Sequence, residues 1–236
     1  MMQENKVNIL CTRPVSDELV QEAKENGIAV DIISFIETEP IDSIEVQQEI
    51  EQAYMQTATV VFTSMNAVEA VAAHAEDQEP QWNIYCMGNT TKQLVNEFFG
   101  EERIYGTAGS AAELAELIVE EMPDDEVIFF CGDQRRDELP DILRSNDIEV
   151  TEIIVYQTIP VSHKINKDYH GILFFSPSAV DSFFSVNKAT GKTIFFAIGN
   201  TTANAIKKHT DNKIIIGKKP EKDQLMIEAI NYFGNG

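Results

Sequence analysis

Four blocks of this chain occur twice, in the same order, and that recurrence narrows the folds open to it. VVFTSMNAVEAV from Val60 aligns with ILFFSPSAVDSF from Ile172, and YCMGNTTKQL from Tyr85 with FAIGNTTANA from Phe196. CTRPVSDEL from Cys11 aligns with CGDQRRDEL from Cys131, and GIAVDIISF from Gly27 with DIEVTEIIV from Asp147. Each block joins a short apolar run to a polar or amphipathic stretch, the alternation that builds parallel sheets covered by helices. The chain therefore reads as two copies of one α/β unit, with the break near Asp124.

Apolar runs predict strands at 7–11, 29–35, 59–62, 83–87 and 103–105, then at 127–131, 149–157, 171–175, 193–198 and 213–216. Helices are expected between them, for example over 16–26, 44–55, 111–121 and 224–233. The segment Gly106-Thr107-Ala108-Gly109 reads as a turn.

Charge divides the chain differently from the repeat. Residues 37–155 hold 27 acidic and 5 basic side chains, whereas 1–36 with 156–236 hold 12 and 13. A discontinuous domain, 1–36 plus 156–236, with an acidic domain 37–155 inserted in it, fits that contrast. The two crossings, about 32–41 and 153–160, would then form a two-stranded connector with a cleft between the domains.

The overall net charge of -21 disfavours a nucleic-acid partner, which needs cations to neutralise phosphates. It equally disfavours an anionic membrane surface. No apolar run approaches the ~20 residues that span a bilayer, and the polar stretch 1–6 does not resemble a signal peptide. A cytoplasmic protein is expected, with no large apolar interface and so a monomer. Cys11, Cys86 and Cys131 end apolar runs without CxxC spacing and read as buried thiols. The four histidines are scattered, so no metal site is expected. No P-loop, GxGxxG or GxSxG motif occurs.

The repeated elements share one local design, a buried strand followed by Ser, Thr, Asn or Gly and then a helix. Candidate ligand positions are Thr63, Ser64 and Asn66, Gly88 and Thr90, Ser176 and Ser178, and Gly199, Thr201 and Thr202. Gly132 and the arginines Arg13 and Arg135 follow two further strands. In an open parallel sheet these stand at the carboxyl ends of strands, where ligands bind. Helix starts there offer free N–H groups and the positive dipole end to an anion. Simple capping is the alternative, since Ser, Thr and Asn cap helices everywhere. Surface ion pairing is the alternative for the arginines, and packing for Tyr156 in the segment Val155-Tyr156-Gln157-Thr158.

The run of TRP near the N-terminus, FTSMNAV, VYQT, FFSPSAV and AIGNTTA followed by KKP resembles the uroporphyrinogen-III synthase family across nearly the whole chain. The resemblance implies two flavodoxin-like domains joined by a two-stranded β-ladder, with the active site between them. It implies cyclisation of the linear tetrapyrrole hydroxymethylbilane to uroporphyrinogen III, a lyase step of haem biosynthesis needing no cofactor. Water is lost, an azafulvene cation forms, and a spirocyclic intermediate inverts the last pyrrole ring. Tyr156 matches the family's connector tyrosine and would assist departure of the hydroxyl; phenols are protonated donors at neutral pH. The strand-end residues would bind the substrate's propionates and acetates. A non-catalytic two-domain protein that closes on a polycarboxylate is the alternative reading.

Overall fold

The computed structural model describes residues 7–75, 79–121, 126–219 and 221–234. The repeat break near Asp124, residues 1–6 and Pro220 of the KKP run lie outside them. The strands are β1 Val7–Cys11, β2 Ile28–Ile32, β3 Ile36–Pro40, β4 Thr57–Phe62, β5 Gln81–Met87 and β6 Ile104–Ala108. They continue as β7 Glu126–Gly132, β8 Glu149–Pro160, β9 Gly171–Phe174, β10 Ile194–Ala197 and β11 Ile214–Ile216. The helices are α1 Asp17–Glu25, α2 Ile44–Tyr54, α3 Met65–Ala72, α4 Thr90–Phe99 and α5 Ala111–Glu121, then α6 Glu138–Ser145, α7 Pro177–Val186, α8 Asn200–Lys207 and α9 Lys222–Gly234.

The chain divides into two compact units, Met1–Glu37 with Ile159–Gly236, and Thr38–Thr158. The first holds a parallel sheet in the order β11-β10-β9-β1-β2. The other sheet has the order β3-β8-β7-β4-β5-β6, parallel from β8 to β6. Strands carrying the recurring blocks stand in one spatial order in both sheets, β2-β1-β9-β10 and β8-β7-β4-β5. The two units differ in where the chain enters that order, since these strands run from β1 in one and from β4, which stands where β9 does, in the other.

Parallel sheets are covered on both faces, and the central strands β4, β7, β9 and β10 carry apolar runs without alternation for that reason. Val60 and Phe62 of β4 enter a core with Trp82, Ile84 and Phe130, while Val61 enters another with Tyr85, Leu114 and Phe129. In the other unit Leu10 joins Phe174 and Phe195, and Ile9 joins Leu173 and Phe196. Trp82 is wholly buried, and its indole N–H donates to the Ala53 carbonyl at 2.9 Å, which satisfies the polar edge of a large apolar group. Among the described residues no helix is long and apolar enough to cross a membrane.

Two local expectations need correction. The expected strand 29–35, and with it the connector stretch 32–41, is broken after Ile32; β3 starts afresh at Ile36. Phe35, between them, is fully buried and packs edge-on against Phe183, so the chain turns inward there. The expected turn 106–109 is mostly strand, since Gly106 to Ala108 belong to β6. Gly106 is needed because a Cβ there would lie 2.6 Å from the Tyr85 ring and 2.7 Å from Leu117. Glycine marks close strand packing here, which a turn-based reading of GxxG misses.

Candidate functional site

The parallel strands place Thr63, Ser64, Asn66, Gly88, Thr90, Ser176, Ser178, Gly199, Thr201 and Thr202 just past their carboxyl ends, within or one to two residues before the first turn of α3, α4, α7 and α8. Gly132 ends β7, Arg13 and Arg135 lie in the loops before α1 and α6, and Tyr156 lies within β8. The helix starts fall into two kinds. At α3 and α7 a serine caps the helix: the Ser64 hydroxyl accepts the Asn66 N–H at 3.2 Å, and the Ser176 hydroxyl accepts the Ala179 N–H at 3.2 Å. Pro177 sits at the first helical position of α7, where its missing N–H costs nothing. Capping thus accounts for the acceptor role of both serine hydroxyls. Thr63, Asn66 and Ser178 are half-buried beside them.

At α4 and α8, the GNTT starts, no side chain caps the helix. The first backbone bond of α8 is Ala203 N–H to the Gly199 carbonyl at 3.0 Å, so the N–H groups of Asn200, Thr201 and Thr202 precede the ladder. In α4 the corresponding bond runs from Gln93 to Asn89 at 3.1 Å. Gly199 is fully extended (φ -170°, ψ -180°), and a Cβ built on it would meet nothing within 4 Å. Gly88 is nearly as open, with the Ala108 carbonyl oxygen 3.5 Å from such a Cβ. Neither glycine is demanded by packing. Asn89 has φ 61°, an uncommon conformation that asparagine tolerates better than most side chains.

Threonine exposure within the two motifs is also paired. Thr90 and Thr201 are exposed, whereas Thr91 and Thr202 are buried. Thr202 was expected to bind largely through its backbone N–H, and that group does stand at the helix start, while at 1% exposure its side chain belongs to the core beside α8.

Tyr156 lies on β8 in the same unit as Gly132. It is half-buried against the core that contains Val155 and Ile153. Its ring lies over Gly132, where a Cβ would stand 2.4 Å from the ring carbon Cζ. Gly132 was expected to touch ligand; what its bareness accommodates is the tyrosine. Asp133, which follows Gly132 in the same strand-end segment and to which sequence reasoning gave no role, donates its N–H to the Tyr156 carbonyl at 3.1 Å and accepts the Thr158 N–H on its carboxylate at 2.8 Å.

The arginines diverge. Arg13 is exposed after β1. Arg135 pairs with both Asp137 and Glu152, and Glu152 also accepts from Arg144 at 2.7 Å. Burial disfavours the Arg135 charge, but hydrogen bonds to Glu152 and Asp137 outweigh it and raise its pKa. That guanidinium is engaged within the protein, as the ion-pair alternative has it. All three cysteines are buried, and burial pushes each thiol up to about 11, away from thiolate chemistry at neutral pH. His209 bonds to Asp181 at 2.9 Å and stacks on Phe184, a pairing across 28 residues that no local spacing reveals.

A cavity of about 500 Å³ lies at the opposite, amino end of β9 and β10, lined by Lys164, Lys167, Tyr169, Asn187, Lys188 and Thr193 among others. Several of its polar groups are already engaged within the protein. Asn187 bonds to His163, Phe183 and Ile165, Thr193 to Tyr169, and Lys167 to Asp31. Size alone therefore does not identify the functional edge.

Residues 17–227 match the family model described as uroporphyrinogen-III synthase HemD. A curated relative, the uroporphyrinogen-III synthase of Saccharomyces cerevisiae, is 24% identical over 177 residues, or 64% of this chain and 64% of the relative. The chain thus spans just under two thirds of that relative. Among solved structures, the synthetase of Helicobacter pylori superposes with TM-score 0.64 at 15% identity, covering 96% of this chain and 99% of the other. A mutant synthase of Thermus thermophilus gives TM-score 0.58 at 11% identity, with 96% and 98% covered. At such identities the likeness is one of fold.

Proposed function

The chain belongs to the uroporphyrinogen-III synthase family, and from that premise we propose that it closes hydroxymethylbilane to uroporphyrinogen III with inversion of the last pyrrole ring and loss of water. The observation that carries this reading is the family match, which covers residues 17–227 and so runs through both units and the strand ends from β4 to β10. The chemistry asks for a held conformation and a proton more than for a nucleophile. Tyr156 supplies the proton to the departing hydroxyl in this reading.

The substrate is a polycarboxylate, and the unit Thr38–Thr158 is poor in free cations. Backbone donors therefore carry the attraction. The helix starts at Thr90–Thr91 and Asn200–Thr202 bind carboxylates through N–H groups and the helix dipole, each such interaction being charge-assisted. Ser64, Ser176 and Ser178 add hydroxyl donors, Thr63 and Asn66 add polar side chains, and Arg13 supplies an exposed cation. Arg135 holds Glu152 and is left out of the binding set. We take the protein to act as a cytoplasmic monomer without cofactor, and its net charge of -21 speaks against a nucleic-acid partner.

The deciding experiment supplies freshly prepared hydroxymethylbilane and measures type III against type I product. Predominant type III supports the proposal. Type I alone, the product of spontaneous closure, refutes it and leaves the non-catalytic binding reading.

A further inference from the structure

We infer that Gly132 and Asp133 are positioning residues that seat the Tyr156 phenol, an inference that rests on the proposed role of Tyr156. Strands β7 and β8 pair in regular register from Glu126 with Glu149 to Cys131 with Ile154. The register then slips, so that Gly132 faces Tyr156 and Val155 becomes an extra residue. In a regular strand, neighbouring side chains point to opposite faces. Val155 and Tyr156 instead pack against the same core. A bulge re-aims a side chain in this way, and bulges concentrate next to functional sites.

The seat itself is Gly132. A Cβ there would lie 2.4 Å from Cζ, 2.5 Å from Cε2 and 2.8 Å from the hydroxyl oxygen of Tyr156. Even alanine would push the ring, and the hydroxyl with it, out of place. Asp133 fastens the strand around the tyrosine, through its N–H to the Tyr156 carbonyl at 3.1 Å and its carboxylate to the Thr158 N–H at 2.8 Å. The other copy of the block provides an internal control. Thr12 stands where Gly132 does, is buried, and spends its hydroxyl on the Leu173 carbonyl at 2.8 Å. Cys11 there pairs with Ile32 in regular register, and no tyrosine follows on β2. Bare glycine, register slip and tyrosine occur together in one copy and are absent together from the other. Holding a reacting group in one geometry is worth orders of magnitude in rate, which gives such a seat a use beyond packing.

The test uses the full chain with tyrosines labelled at Cζ, the Tyr156 signal being assigned as the one lost in Tyr156→Phe. Gly132→Ala is expected to move that signal and lower kcat about 10²-fold, as losing the proton donor itself would. KM should change less than threefold, and Gly132→Ala should cost nothing further in a Tyr156→Phe background. Asp133→Ala, at an exposed position that spares folding, should shift the same signal and lower kcat by about tenfold. Asp133→Asn should recover most of that loss, because its amide oxygen accepts the Thr158 N–H. An unmoved ring signal in both Gly132→Ala and Asp133→Ala overturns the inference. So does a Gly132→Ala loss that multiplies with that of Tyr156→Phe. Full turnover in Tyr156→Phe refutes the catalytic reading instead, while the ring signals still decide whether the seat exists.

Discussion

Gly199→Ala separates a ligand's demand for glycine from the fold's. The backbone at Gly199 is extended and accepts any residue, and the added methyl meets nothing within 4 Å. Two opposing effects then set stability. Alanine restricts the unfolded chain, worth about 0.4–1 kcal/mol in favour of the native state. Alanine is also a poorer N-cap than glycine, costing about 1 kcal/mol. The net change should stay within about 1 kcal/mol of zero, read as an unfolding midpoint in urea. Binding should behave otherwise. A carboxylate approaching the N–H groups of Asn200, Thr201 and Thr202 has to share the space the methyl fills. Losing one charge-assisted hydrogen bond costs about 1.5–3 kcal/mol, or roughly 10–150-fold in affinity. Calorimetric titration with uroporphyrinogen III under anaerobic conditions, alongside KM for hydroxymethylbilane, measures it. An alanine variant that binds product as tightly as the parent would refute the assignment of the α8 start as a carboxylate site.

Tyr156→Phe should lower kcat about 10²-fold with an unchanged circular dichroism spectrum, and turnover equal to the parent's would remove the tyrosine from the mechanism. Ser176→Ala removes the cap on α7 and should cost about 1 kcal/mol in stability, with KM rising only a few-fold; chemical denaturation and initial rates distinguish the two effects. Asp31 accepts from Lys167 at 2.7 Å and Tyr169 at 2.6 Å, and these hydrogen bonds hold its carboxyl below the usual carboxylate range. A depressed folded-state pKa stabilises the native state above the unfolded value near ~4 and stops doing so as pH falls through the folded one. Asp31→Asn should therefore be less stable than the parent at pH 7, by at most about 1 kcal/mol for so exposed a pair, with the gap closing below about pH 4. Urea melts at pH 7 and pH 3 test the sign.

The parallel α/β architecture was written in the chain's apolar runs, because strands buried on both faces must be apolar throughout and helices must cover them. Val60–Phe62, Ile172–Phe174 and Phe195–Ala197 are such runs, and all three are buried strands. The strand-end polar residues were legible for the same reason, since a polar cluster just past an apolar strand marks the edge of a parallel sheet. What the local pattern could not carry was long-range contact. That Ser64 caps α3 while Asn89 leaves α4 uncapped is invisible in two polar helix starts of similar composition, because it depends on which oxygen meets which N–H. Arg135 becomes an ion-pair partner only when β8 brings Glu152 alongside, and Thr202 leaves the solvent only when α8 packs. Gly132 looked like one more strand-end glycine until a register slip laid the Tyr156 ring across it. Periodicity along the chain determines which faces are apolar; only the pairing of strands decides what each exposed end has left to offer.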